Sequence, residues 1–211
     1  MRRARRLPLE ELAPYLLEPP STPAPLDWEV VFGNPGPVEV EVGFGKGLFL
    51  LTAAESCPGV SFLGIEIARK YQLFAATRLA KRGFRNVRLV KADARPFLRD
   101  HVATGSCRAI HVYFPDPWWK KRHLKRRVFT PEFVAECARV LQSRGRLHVV
   151  TDVADYFQLI TELVAQQSGL QTLPAGDLHE PAHDLDYLTN FERKFRKEGR
   201  EIYRMVVEKR H

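Results

Sequence analysis

An α/β fold with one mostly parallel sheet and helices on both faces is predicted for this chain of 211 residues by three observations. Short β-branched apolar runs recur from Val38 onward. The stretches between them place apolar residues three or four apart, as one buried helix face requires. A glycine-rich turn, Gly43-Phe44-Gly45-Lys46-Gly47, joins the first apolar run directly to a helical stretch. Strand and helix patterns that alternate in this way call for parallel strands with crossover helices.

Taken in order, residues 1–36 are rich in Arg and then Pro. Pro14, Pro19, Pro20, Pro23, Pro25 and Pro35, with Pro37 just beyond, leave room for little more than one short helix near 9–17. This segment reads as a basic, proline-rich arm packed over a single domain at 37–211. Strands are expected at 38–42, 60–67, 87–91, 109–114 and 146–151. Helices are expected at 48–55, 68–81, 131–141 and 154–167, with Gly83 and Gly145 at helix ends. A late strand at 201–208 would complete the sheet as a final antiparallel hairpin.

The 33 Lys and Arg outweigh 25 Asp and Glu, giving a net charge of +8 and a pI near 9.6, which favours a polyanionic partner. No uncharged apolar run approaches the ~18 residues of a membrane span, and the N-terminus lacks the apolar core of a signal peptide, so a cytoplasmic location away from membranes is expected. Cys57, Cys107 and Cys137 form no C-x-x-C pair, and the seven histidines form no Cys/His cluster. Neither a disulfide framework nor a metal site is indicated.

The glycine turn decides between ligands by its spacing. A P-loop needs Gly at position 40 and Ser or Thr after Lys46, where the chain has Val40 and Gly47; a dinucleotide fingerprint needs Gly at position 48, which is Leu48. Glu41 at the loop entrance would also repel a pyrophosphate, whereas it suits a ligand carrying an ammonium and a sulfonium, such as S-adenosylmethionine (SAM). Glu66, ending the second predicted strand, is placed to accept bonds from two ribose hydroxyls. Asp93, ending the third, is placed to accept one from an adenine amine. Singly, Glu66 and Asp93 read equally well as helix caps; the coincidence of three acids at successive strand ends favours the ligand.

After the fourth predicted strand comes Phe114-Pro115-Asp116-Pro117-Trp118-Trp119-Lys120-Lys121-Arg122-His123-Leu124-Lys125-Arg126-Arg127, with six positive charges in the last eight residues and no acid among them. Phosphates are the natural partner of such a run. Trp118 and Trp119 offer stacking surfaces, or are core residues. Two prolines stiffen the backbone around Asp116. Asp152 and Glu192, on the residues alone, read as ordinary capping or surface acids.

The segments EVGFGKG, GIE, KAD, FPDPWWKKRHLKRR, VVTD and TNFE, in this order, resemble the tRNA (guanine-N7)-methyltransferase family from about Trp28 to the C-terminus. The resemblance implies a Rossmann-like class I methyltransferase fold with a seven-stranded sheet. It implies SAM as cofactor, S-adenosylhomocysteine as product, and methylation of N7 of a tRNA guanine, the guanosine at position 46 of the variable loop. Glu41, Gly43, Gly45, Glu66, Asp93 and Asp116 would contact SAM, with Asp116 also catalytic. Lys120, Asp152, Thr189, Asn190, Phe191 and Glu192 would contact the guanosine; Arg122, His123, Leu124, Lys125, Arg126 and Arg127 would lie along the RNA. Trp119 departs from the family's more usual Pro or His. A monomer or homodimer without an obligate protein partner is expected. The competing readings are an RNA-binding protein that has lost the chemistry, a small-molecule methyltransferase, and, weakest, a nicotinamide dehydrogenase.

Overall fold

The computed structural model describes residues 7–174, 195 and 197–211. The arm folds as α1 (Leu9–Leu12), a 3-10 turn (Ala13–Tyr15), a two-residue strand β1 (Leu16–Leu17) and α2 (Trp28–Phe32). Asp27 starts α2 by accepting from the N–H groups of Glu29 and Val30, and Gly33 ends it in the left-handed conformation. The sheet then runs through β2 (Val38–Val42), β3 (Ser61–Glu66), β4 (Val87–Lys91), β5 (Cys107–Tyr113), β6 (Leu141–Thr151), β7 (Leu170–Thr172) and β8 (Tyr203–Lys209). The longer helices are α3 (Leu48–Ser56), α4 (Arg69–Arg82), α5 (Ala94–His101), α6 (Pro131–Val140) and α7 (Ala154–Ala165).

Strand order is β1-β4-β3-β2-β5-β6-β8-β7, with β8 antiparallel to both its neighbours and every other pair parallel. The sheet therefore has eight strands where seven were expected, and the additional one comes from the arm. Leu16 and Leu17 pair with Leu89 and Val90, covering the edge of β4 that would otherwise present unpaired backbone groups. Leu12 and Tyr15 anchor the arm by burial in the same core as Leu79 and Leu89 of α4 and β4.

Two further differences have local causes. α5 has no counterpart among the expected helix ranges; it tolerates Pro96 because a proline in the first helical turn removes no intrahelical bond. Gly145 is not a helix end. It lies within β6, where a side chain would meet the carbonyls of Gln142 and Arg108 at 2.9 and 3.1 Å.

Alternation in Val38-Glu39-Val40-Glu41-Val42 divides the two sides of the sheet. Val38, Val40 and Val42 join Phe97, Phe133, Val134 and Ile160 beneath α5, α6 and α7. The other face packs Phe62 and Leu89 against Leu50, Leu51, Ala75 and Leu79 of α3 and α4. Each fully buried Val, Leu, Ile or Phe side chain among these contributes about 1.5–3 kcal/mol. Among the described residues, no helix is long and apolar enough to cross a membrane.

The order of connection reverses between β2 and β5, and open α/β sheets bind ligands in the crevice outside the carboxyl ends of the strands at such a point.

Candidate active site

Five acids stand at or just beyond the carboxyl ends of five neighbouring strands: Asp93 after β4, Glu66 on β3, Glu41 on β2, Asp116 after β5 and Asp152 after β6. The sequence placed each of them there, and the parallel sheet gathers them along one edge.

Glu41 is the most deeply held. It is 3% exposed, and its Oε2 has no hydrogen-bond partner. Burial first, and then the neighbouring Glu66, push its carboxyl well above the usual carboxylate range. A buried acceptor of this kind is costly unless a ligand satisfies it. Gly43 and Gly45 follow at φ +76° and +50°, and a side chain on either would meet nothing within 4 Å, so backbone faces open space beside Glu41. An orphaned acid next to bare backbone fits a ligand bearing an ammonium or sulfonium, which is the chemistry expected of SAM.

Glu66 braces this loop. Its Oε2 accepts from Gly45 N–H at 3.0 Å and its Oε1 from Ala68 N–H at 2.9 Å. Each oxygen retains a lone pair for a hydroxyl. Glu66 therefore does not act as a side-chain cap of α4. Asp93 does act as a cap: its Oδ1 accepts from Arg95 N–H at 3.0 Å at the start of α5. The Arg95 guanidinium grips both oxygens of the same carboxylate, Nε on Oδ1 at 3.2 Å and Nη2 on Oδ2 at 2.7 Å, and these bonds hold its pKa below the ordinary aspartate range. Next to Glu66, Ile67 is 68% exposed, an apolar surface at the crevice mouth that sequence reasoning missed. Its signal is an isoleucine directly after an apolar strand's final acid, where the chain leaves the sheet.

Asp116 is exposed in a loop that opens with Phe114 at φ +51° and reaches Trp118 at φ +44°. Non-glycine residues in this region store on the order of 1–3 kcal/mol each and cluster at functional sites. The loop is pinned where Phe114 N–H donates to Val150 O at 2.7 Å and where Arg127 Nε donates to Pro117 O at 2.6 Å. Arg127 also lies over the ring of Tyr156, 5.0 Å from its centroid. Burial, with a smaller contribution from the charge of Asp116, raises the Tyr156 phenol to about 12.

The basic segment forms a 3-10 turn, Lys121–Arg126, with Lys120, Arg122, Leu124, Lys125 and Arg126 exposed. Neither tryptophan belongs to the core. Trp118 is half-buried between the edge of His123 and Arg126, whose guanidinium sits 5.1 Å from its ring centroid, and Trp119 is 59% exposed.

Asp152 meets Arg200 Nη1 at 2.9 Å, and Arg200 also contacts Glu198 and lies over Phe195, which packs on Phe114. The carboxylate expected to read guanine thus already holds a cation. Thr189, Asn190, Phe191 and Glu192 lie outside the described residues.

On the same sheet face as Glu41, a second polar cluster went unread in the sequence. His111 joins Glu39 at 2.9 Å and the Tyr113 hydroxyl at 2.8 Å, Arg108 caps Glu39 at 2.6 Å, and His148 stacks on His111 with ring centroids 4.8 Å apart. Its signal is the register of polar residues at alternate positions of β2, β5 and β6. Among the described residues, no group of three His, Cys, Asp or Glu is arranged to hold a metal ion.

Comparison with known proteins agrees with this geometry. Residues 35–205 match a family model described as "Putative methyltransferase". A tRNA (guanine-N(7)-)-methyltransferase of Rhodopirellula baltica is 44% identical over 96% of this chain and 77% of its own. One of Geobacter metallireducens is 34% identical over 92% of each. Among solved structures, the aminoglycoside resistance methyltransferase NpmB1 superposes with a TM-score of 0.58 at 19% identity, over 82% of this chain and 87% of that one, a likeness of fold.

Proposed function

The chain belongs to the tRNA (guanine-N7-)-methyltransferase family, and from that premise we propose that it methylates N7 of guanosine 46 in the tRNA variable loop with SAM as donor. The observation that carries this reading is the orphaned, buried Glu41 beside an open glycine loop, with a segment of exposed cations following the neighbouring strand β5.

When bound, SAM supplies an electrophilic sulfonium methyl, which leaves sulfur for the in-plane lone pair of N7, with no proton to remove. Glu41 holds cationic charge, Gly43 and Gly45 give bare backbone, Glu66 accepts from ribose hydroxyls, and Asp93 offers a remaining lone pair on Oδ2 to an adenine amine. Asp116 stabilises the positive charge that spreads over the guanine imidazole and so acts electrostatically rather than as a base. Lys120, Asp152 and residues 189–192 position the guanosine, and Asp152 reaches the base's donors when Arg200 gives way. Arg122 to Arg127 follow the phosphates, and Trp118 and Trp119 offer rings for stacking.

Methyl transfer from labelled SAM to an unmodified tRNA transcript, with mapping of the modified base, tests this reading. Label is expected as 7-methylguanosine at position 46 and is expected to vanish when that guanosine is replaced. Label on the replaced transcript would reassign the position, and absence of any transfer would overturn the activity.

A further inference from the structure

Arg95 spends its donors in an unusual way. Two of its guanidinium nitrogens hold both oxygens of Asp93, and the third, Nη1, donates to the backbone carbonyl of Lys125 at 3.0 Å. Asp93 stands at the crevice on the β4 side; Lys125 belongs to the basic 3-10 turn and lies 30 residues after Arg95 in the chain. A guanidinium is planar and rigid, so fixing one side of it orients the other, which the flexible ammonium of lysine does not do. Among the described side chains, the other ties are Arg127, which reaches back to Pro117 O and lies over Tyr156 of α7, and Arg126, which covers Trp118 within the segment itself.

We propose that Arg95 is a positioning residue that couples occupancy of the cofactor crevice to the grip of the basic segment on RNA. The inference rests on the reading of both sites given above and adds a link between them. With three N–H groups on it, the Asp93 carboxylate has one lone pair left, on Oδ2. An amine from the crevice landing there fixes the carboxylate from its free side, and with it the guanidinium and the carbonyl of Lys125. Ordering achieved before RNA arrives is ordering that RNA need not impose, so the turn binds tRNA more tightly when the crevice is filled. By linkage the effect is reciprocal: tRNA on the turn tightens the cofactor by the same factor.

The experiment measures the affinity of the full chain for an unmodified tRNA transcript with and without saturating S-adenosylhomocysteine, which cannot be turned over. The native chain is expected to bind the transcript about five-fold more tightly with the product present, the lower end of common allosteric couplings, because Arg95 and Asp93 are both about one-third exposed. In Arg95→Ala and Arg95→Lys the ratio is expected to fall to near one. Lysine keeps the ion pair to Asp93 and the cap of α5, so a merely structural role is rescued by Arg95→Lys whereas the coupling is not; if the alanine variant fails to fold, the lysine variant decides. A native ratio of one with both ligands bound, or a variant that retains the native ratio, overturns the coupling. A native chain that binds neither ligand overturns the proposed function instead, and does so before any substitution is made.

Discussion

The acidic crevice and the basic lip differ in how each is held. Glu41 and Glu66 sit on ladder-bonded central strands, are less than one-tenth exposed, and are ringed by backbone whose turns are set by glycine. The lip from Trp118 to Arg127 contains the 3-10 turn Lys121–Arg126, with Lys120, Arg122, Leu124, Lys125 and Arg126 exposed and ties to the domain through Arg95 and Arg127. A site for one small cation is built rigid, with Glu41 already buried and in place before the ligand arrives. A site for a large polyanion needs charge more than fixed geometry, because phosphate contacts steer and orient without reading sequence. With each ligand titrated in the absence of the other, substitutions in one region are therefore expected to leave the other region's ligand unaffected.

Asp116, where the regions meet, gives the largest effect: Asp116→Asn is expected to lower turnover at saturating tRNA and SAM by about 100-fold, the scale for losing one preorganised electrostatic partner. Normal turnover would remove Asp116 from the charge-stabilising role.

Next in size is Glu41→Gln, expected to weaken SAM binding about 30-fold, as loss of a charge-assisted bond implies, with transcript affinity unchanged. The same residue predicts a proton linkage. Burial, then Glu66, raise its carboxyl, so the folded chain without ligand holds a proton there that the unfolded chain loses near its ordinary pKa. This group's contribution to stability therefore falls as pH rises above that ordinary value toward the raised one. A cationic ligand favours the ionised form, so binding expels the proton and tightens with rising pH over the same window. Calorimetry in two buffers of different ionisation enthalpy reads that release, which Glu41→Gln should abolish; equal heats in the native chain would refute it.

The smallest effect belongs to the lip. Arg122→Ala and Lys125→Ala are each expected to reduce the slope of log affinity against log salt by about 0.7, one phosphate contact on a single strand, with SAM binding intact. An unchanged slope would place the RNA elsewhere.

Legibility followed the same division. Glu41 and Glu66 could be located because strand alternation and glycine spacing are periodic signals, and the eight-stranded sheet departs from the expected seven only through the two residues of β1, too short to leave a pattern. The helix start at Asp93 was one of the two readings its position allowed, but its grip by Arg95 could not be read, because the side-chain pairing and the guanidinium's reach to Lys125 depend on the folded geometry. The pairing of Asp152 with Arg200 is likewise invisible in a sequence that places them 48 residues apart. The histidine cluster on β5 and β6 was missed for a subtler reason. Polar residues at alternate strand positions usually face water, and here His111 is buried because Phe49 of α3 lies across it.

The left-handed torsions of Phe114 and Trp118 have a consequence for anyone engineering this enzyme. Glycine at either position would relieve the backbone, and a screen for heat resistance would reward it. The same exchange would strip away the ring that meets Phe195 or the indole beneath Arg126. Variants selected for robustness alone would drift toward well-behaved proteins with a slack loop around Asp116.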